Sequence, residues 1–329
     1  MKPREIPWKE KGLAERFDRD AWALVLGGSS GFGLATAHEL AAHGMSLCLV
    51  HRDRRGAMAR IEPEFEKLRS HGVALRTFNA DALSADARRE ILDTLAAALG
   101  EAGRVRVLLH SIAFGNLKLV APERRGGAGE RARAALAGAL GIDEARLAEA
   151  ADGLFAAGHD ALLGLASPPA YGDRHFLEPE DVAGTVHAMG TSLLDWTQDL
   201  LARGLFAEDA RVLALTSEGN SVAWKGYAAV AAAKCALESV ARSIAVELAP
   251  HGIRCNVVQA GVTETPALAA IPGSAHLKAQ ARRRNPFGRL TTPADVARVL
   301  YLLARDEAAW INGEVIRVDG GEHVSGAVG

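Results

Sequence analysis

The sequence predicts an α/β fold: a doubly wound parallel sheet of about seven strands, helices on both faces, and a helical insertion after the fourth strand. Three observations lead there. Short β-branched apolar runs alternate with helical segments, the runs are hydrophobic almost without interruption, and the first of them ends in glycines that open a helix. Alternation of strand and helix selects the parallel, doubly wound class. Uninterrupted apolar runs are what strands need when both faces of their sheet are covered.

In chain order, residues 1–20 are charged throughout and read as an N-terminal arm lacking the apolar core of a secretory leader. Residues 21–329 read as one domain. Its strands are WALVLGG (22–28), SLCLVH (46–51), ALRTFN (74–79), VRVLLHS (105–111), RVLALTS (211–217), RCNVVQAG (254–261) and EVIRVDGG (314–321). Segments such as GLATAHELAAHG and DARREILDTLAAALGEAG supply the helices between them. The rhythm breaks once. About 65 residues separate HSIAFG (110–115) from a helix beginning near Asp181, far beyond the handful that usually joins strand to helix. Residues 116–180 are therefore an insertion. Its middle predicts two amphipathic helices with a stripe of Leu147, Ala151, Leu154, Gly158, Leu162 and Leu165. Such a hairpin either packs on its own domain or a neighbouring subunit, or forms a lid over a substrate mouth.

Composition bounds the function. With 329 residues, 49% of them hydrophobic, the chain can bury a large core. A formal charge of −2 gives no global field for nucleic acid or an anionic membrane, and no run is long and uncharged enough to span a bilayer. Cys48, Cys235 and Cys255 lie unpaired in apolar stretches, as expected of reduced core thiols in a cytoplasmic protein. No metal site is expected.

The first strand leads into Gly27, Ser29, Ser30, Gly31, Phe32 and Gly33, in the pattern G-x-x-x-G-x-G. Missing β-carbons there let a pyrophosphate approach the backbone and the helix N-terminus, so a dinucleotide site is expected. The second strand ends with His51 and Arg52 where an acid would hold the ribose hydroxyls of NAD. Guanidinium donors suit a 2′-phosphate, which favours NADPH over NADH, with Arg54 or Arg55 supporting Arg52. Asp53 remains the acid of an NADH-selective alternative. Asp81 is placed to reach adenine. Further on, Tyr227 and Lys234 are seven residues apart, close to two turns of about 3.6 residues, and so share one helical face roughly 10 Å apart along the axis.

The chain resembles the short-chain dehydrogenase/reductase family over nearly its whole length, apart from the arm and the insertion. The resemblance rests on the glycine pattern, the tyrosine–lysine helix, VELAPHGIRCNVV and the terminal INGEVIRVDGGE, and it implies a Rossmann-type sheet. Within that family, the six-residue gap from Tyr227 to Lys234, the string HSIAF and the segment VHAMGTSLL, with Met189 where carbonyl reducers carry asparagine, resemble the enoyl-acyl-carrier-protein reductase branch. That branch implies NADPH-dependent reduction of an enoyl thioester carried by acyl-carrier protein or CoA. In it Tyr227 would donate a hydrogen bond to the thioester carbonyl, and Lys234 would hold the nicotinamide ribose. The resemblance also implies cofactor contacts at Ala82, Ser111, Ile112, Ala113, Gly261, Val262, Thr263 and Thr265, an acyl slot near Phe114, Trp224, Leu268 and Ile271, and a homo-oligomer, tetramer or dimer. One departure leaves the reaction open. The loop before Tyr227 offers Thr216 and Ser217 rather than a second aromatic, which also resembles carbonyl reducers. A ketone reductase, or an NADP-binding protein without catalysis, remains the alternative. Arg282, Arg283 and Arg284 form a basic run, either a solvated helix face or a dock for an acidic carrier protein.

Overall fold

The computed structural model describes residues 16–122, 127–171 and 176–326; residues 1–15 of the expected N-terminal arm lie outside them. Along the chain come β1 (Ala21–Leu26), α1 (Gly31–Ala42), β2 (Ser46–His51), α2 (Met58–Arg69), β3 (Leu75–Asn79), α3 (Ala85–Leu99) and β4 (Arg104–His110). After β4 come α4 (Ala128–Leu140), α5 (Glu144–Ala156), α6 (Pro179–Val186), α7 (Ser192–Ala202), β5 (Phe206–Ser217) and α8 (Ala228–Glu247). The chain finishes with β6 (Ile253–Ala260), α9 (Pro266–Ala269), α10 (Ser274–Arg284), α11 (Pro293–Ala304) and β7 (Val315–Val318). All seven predicted strands form, and they pair in parallel in the order β3-β2-β1-β4-β5-β6-β7.

Side-chain alternation explains the continuous hydrophobicity. In β1, Trp22, Leu24 and Leu26 face α3, α7 and α8, where Leu95, Trp196 and Leu237 meet them. Ala23 and Val25 face the other way, onto Leu40, Phe65 and Leu300 of α1, α2 and α11. Each fully buried leucine contributes about 1.5–3 kcal/mol, so neither face of a strand can be polar.

β5 starts five residues earlier than RVLALTS suggests. The added residues FAEDA read as loop because they are charged, yet Asp209 accepts ion pairs from Arg106 at 2.7 Å and Arg211 at 2.6 Å, and another from Arg254. Arg211 is thereby held with no exposed surface. The charges satisfy one another, and the strand extends through them.

The insertion is a closed excursion. Leu119 bridges to Phe176, Leu177 N–H donates to the Leu119 carbonyl at 2.9 Å, and Lys118 pairs with Asp181 at 2.6 Å. Both predicted helices form, but the predicted stripe does not hold along its length. Ala151 is 5% exposed whereas Leu154 is 49% exposed, and Gly158 adopts φ +98°. The chain turns at Gly158, so a single helical period cannot continue to Leu162 and Leu165.

Candidate active site

In the order β3-β2-β1-β4 the strand order reverses between β1 and β4, and parallel folds of this kind bind ligands outside the carboxyl ends of the strands at such a point. The glycine turn lies there. Gly27 has φ +88°, and a β-carbon there would overlap the Ser111 carbonyl oxygen; one on Gly33 would overlap the carbonyl of Gly27. The turn is thus pressed between β2 and β4, with Gly27 and Gly28 N–H both donating to the Val50 carbonyl. Ser30 is the N-cap of α1 but makes no side-chain cap bond. The first-turn N–H groups remain available for an anion, and the site fits the pyrophosphate of a dinucleotide. Gly31 faces Thr265, whose methyl lies 3.5 Å from where its β-carbon would be, so the loop after β6 forms the opposite wall.

At the end of β2 the expected cofactor residues divide. His51 is buried, its Nδ1 2.9 Å from Asp53 Oδ2 and its ring against Phe65; its side chain points into the core. Arg52 reaches Asp81 at 2.9 Å and lies 4.4 Å over the Phe114 ring. Phe114, expected in the acyl slot, is 57% exposed and stands beside Arg52. The side chains of Arg54 and Arg55 are exposed and make no hydrogen bond or ion pair among the described residues. Ala82 accepts a hydrogen bond from Trp196 Nε1 at 2.9 Å, and Ile112 packs on the core beside it. Ser111 and Ala113 flank Ile112 just past β4. After β6, the Thr263 hydroxyl turns back to the Gly261 carbonyl at 2.9 Å, while Thr265 caps α9 by accepting from Leu268 N–H at 3.2 Å. Leu268 and Ile271 are half-buried at that helix and its end, and Trp224 is half-buried one turn before Tyr227. The segment after β6 contains α9 and α10.

Tyr227 is not inside the helix. It is the N-cap of α8, following Gly226 at φ +70°, and its carbonyl accepts the first helical bond from Ala231 N–H at 2.8 Å. Its hydroxyl lies 3.3 Å from Ser217 Oγ. Thr216 turns the other way, donating to Glu238 at 2.5 Å, and Asn220 donates to the same oxygen at 2.6 Å. Of the two candidate hydroxyls, Ser217 is the one beside Tyr227. Burial raises the phenol pKa and the charge of Glu218 adds to this, against the hydrogen bond with Ser217, so the phenol stays protonated. Lys234 is buried and donates to the Leu215 carbonyl at 2.8 Å; burial pulls its ammonium down to about 8, with Glu238 resisting.

Sequence reasoning passed over several residues around this pair. Glu238 lies one turn beyond Lys234 on α8, a spacing that could have revealed it. His110 is buried and its Nε2 lies 2.9 Å from Ser192 Oγ, which donates to the Ala188 carbonyl. The serine proton is thus engaged, so the imidazole donates from Nε2; burial first and then Lys234 lower its pKa to about 3. Ser192 follows a π-turn over His187–Thr191, which brings Met189 against Val230 and Tyr227. Gly219 touches the Tyr227 ring so closely that a β-carbon would stand 2.7 Å from its Cδ1.

The basic run is not a free patch. Arg282 forms a two-pronged pair with Asp160 of the insertion at 2.6 Å, and Arg284 pairs with Glu218 at 2.8 Å and Glu322 at 2.9 Å. Cys48 and Cys255 are buried as expected, but Cys235 is exposed. Among the described residues, no helix is long and apolar enough to cross a membrane.

A glycine turn that fits a dinucleotide's phosphates on one half of the sheet edge, and a tyrosine paired with a serine hydroxyl beside a buried lysine on the other, are the site of a Rossmann-type dinucleotide fold. Residues 21–121 match the family described as short chain dehydrogenase, and residues 159–323 match that described as Enoyl-(Acyl carrier protein) reductase. The chain belongs to the short-chain dehydrogenase/reductase family. Residues 122–158, which include all of α4 and α5, fall between the two matches. The chain is 35% identical over 138 residues to the enoyl-acyl-carrier-protein reductase (NADH) FabI of Aquifex aeolicus, covering 42% of this chain and 51% of that protein. It spans about half the length of the curated relatives it matches at this level. The short-chain reductase protein NovJ of Streptomyces niveus is 25% identical over 309 residues, 92% of this chain and 94% of NovJ. The solved structure of the Aquifex aeolicus enoyl-acyl-carrier-protein reductase (NADH) superposes with a TM-score of 0.67 at 22% identity, covering 96% of this chain and all of that one. At that identity the likeness is one of fold.

Proposed function

We propose that the protein is an NADPH-dependent enoyl-thioester reductase. The observation that carries this reading is the Tyr227 hydroxyl standing ahead of α8, with Lys234 buried two turns further on and bonded to β5 rather than to the tyrosine. A reduced nicotinamide, when bound, would supply the hydride. The chain's own part is to hold the acceptor. Tyr227 donates to the thioester carbonyl oxygen, and this hydrogen bond strengthens as hydride addition at the β-carbon drives negative charge onto that oxygen. Because burial and Glu218 disfavour the phenolate, the proton stays on the tyrosine until that charge appears. Lys234 has donors left after its bond to Leu215 and would position the nicotinamide ribose. Arg52, Arg54 and Arg55 offer guanidinium groups for a 2′-phosphate, although the charge of Arg52 is already shared with Asp81. The match of residues 159–323 and the FabI relative support the substrate class.

A second reading has its own support. Ser217 lies 3.3 Å from the Tyr227 hydroxyl, a pair that could hold a ketone oxygen in a carbonyl reductase. One assay separates them: NADPH oxidation is followed with crotonyl-CoA and, in parallel, with acetoacetyl-CoA. Turnover of crotonyl-CoA supports the first reading, and turnover of acetoacetyl-CoA alone replaces it with the second.

A further inference from the structure

The last turn of α10 ends in an ion cluster that the proposed chemistry does not use. Arg284 Nη2 donates to both carboxylate oxygens of Glu218, at 2.8 and 3.0 Å, and to Glu322 Oε1 at 2.9 Å. Glu322, 1% exposed, accepts with its other oxygen from the Val262 backbone N–H at 3.2 Å. These groups belong to four separate segments: Glu218 directly follows Ser217, Val262 lies in the loop after β6, Arg284 closes α10, and Glu322 follows β7. A backbone N–H in the loop after β6 is thus tied through one carboxylate and one guanidinium to the residue next to the serine that contacts Tyr227. Charge-assisted hydrogen bonds of this kind are short and directional, and inside the protein each constrains the next. Gly261 has no room to move independently, since a β-carbon there would lie 2.9 Å from Glu322 Oε2 and 3.0 Å from Asp319 Cβ.

We propose that Arg284 and Glu322 are positioning residues that hold the Ser217–Glu218 loop and the Gly261–Thr263 loop in register, so that the two walls of the reaction site meet at a fixed distance. The proposal rests on reading Ser217 and Tyr227 as the groups that face the substrate. Neither Arg284 nor Glu322 touches the reacting atoms. Their removal should therefore change turnover and loop order more than binding.

The test uses the full chain saturated with NADPH. Arg284→Met should accelerate amide exchange in residues 217–222 and 261–265 by about tenfold or more while leaving β1 as in the wild type. It should also lower kcat about tenfold with KM for NADPH and for substrate within about threefold, and Arg284→Lys should recover most of both effects. Arg283→Met, one residue away on the exposed side of the helix, should match the wild type. Turnover is measured on crotonyl-CoA and acetoacetyl-CoA, so a wild type active only on the second substrate refutes the enoyl reading without touching this one. If neither is turned over, exchange alone decides. Should Arg284→Met not fold, Glu322→Gln carries the same readouts. Unchanged exchange in both segments, exchange rising equally in β1, or a wild-type kcat would overturn the proposal.

Discussion

Replacing Gly219 by alanine tests the site with a single methyl group. Gly219 is buried and does not hold a left-handed backbone, so space is the sole obstacle to a side chain there. The new β-carbon would stand 2.7 Å from Tyr227 Cδ1, nearer still to Cε1, and 3.4 Å from Ser217 Oγ. Non-bonded carbons rest about 3.5–4.0 Å apart, so the ring or its loop must yield by about 1 Å. A misplacement of that size costs about 100-fold in rate when the displaced group is a catalytic donor. Overpacking costs about 1–3 kcal/mol of stability as well. The expected result is kcat about 100-fold lower, NADPH affinity within about twofold because the cradle lies at β1, and a melting point a few degrees lower. Gly153→Ala on α5 is the control: nothing lies within 4 Å of its β-carbon, so activity should hold while the helix gains about 0.5–1 kcal/mol. Stopped-flow single turnovers, fluorescence titration with NADPH and thermal melting give the three readouts. A Gly219→Ala enzyme that folds and turns over at the wild-type rate would refute the assignment of Tyr227 as the donor.

Three further outcomes are expected. Arg52→Ala should weaken NADPH about tenfold and NADH less than twofold, because the guanidinium is half-exposed and already shared with Asp81; equal losses would remove it from cofactor selection. For Lys234, burial sets the folded pKa near 8 against an ordinary 10.5, so between those values the unfolded chain holds the extra proton and folding gains stability as pH rises. In cofactor-free protein, the stability lag of wild type behind Lys234→Met should be about 3 kcal/mol below pH 8 and fade toward pH 10.5; a lag independent of pH argues against a buried ammonium. Replacing residues 120–176 by a Gly/Ser linker should raise KM for long acyl chains more than for crotonyl-CoA and leave NADPH affinity intact, since Asp160 and Phe155 of the insertion pack on Arg282 and His276 of α10. Loss of oligomer with unchanged chain-length preference would make the insertion an assembly element instead.

The sheet was legible because its physics is local. Strands covered on both faces must be apolar at odd and even positions alike, and β1 and β2 show this without knowledge of their partners. Legibility failed where polar groups satisfy one another at a distance. FAEDA became strand through Asp209, whose partners Arg106 and Arg254 lie 103 and 45 residues away in sequence. The insertion stripe failed for the opposite reason: helical period was extrapolated through Gly158, a residue whose backbone turns the chain.

The site divides along the same line. The glycine turn, Tyr227 and Lys234 carry their chemistry in their own side chains or in the lack of one, so spacing picked them out and the family resemblance supplied the roles of the pair. Arg282 and Arg284 carry charge that sequence can count but cannot assign, and their partners Asp160, Glu218 and Glu322 stand 122, 66 and 38 positions away. Two of the three arginines that read as a solvated helix face or a dock for an acidic carrier are internal connections, one to the insertion and one to the loop beside Tyr227, while Arg283 stays exposed. The pairs Arg282–Asp160 and Arg284–Glu218 form a chain of contacts from the insertion through the last turn of α10 to the loop beside Tyr227. A change at Asp160 should therefore reach the loop beside Tyr227 without any contact between them, and amide exchange at residues 217–222 in Asp160→Asn, unchanged or raised, decides whether that connection exists.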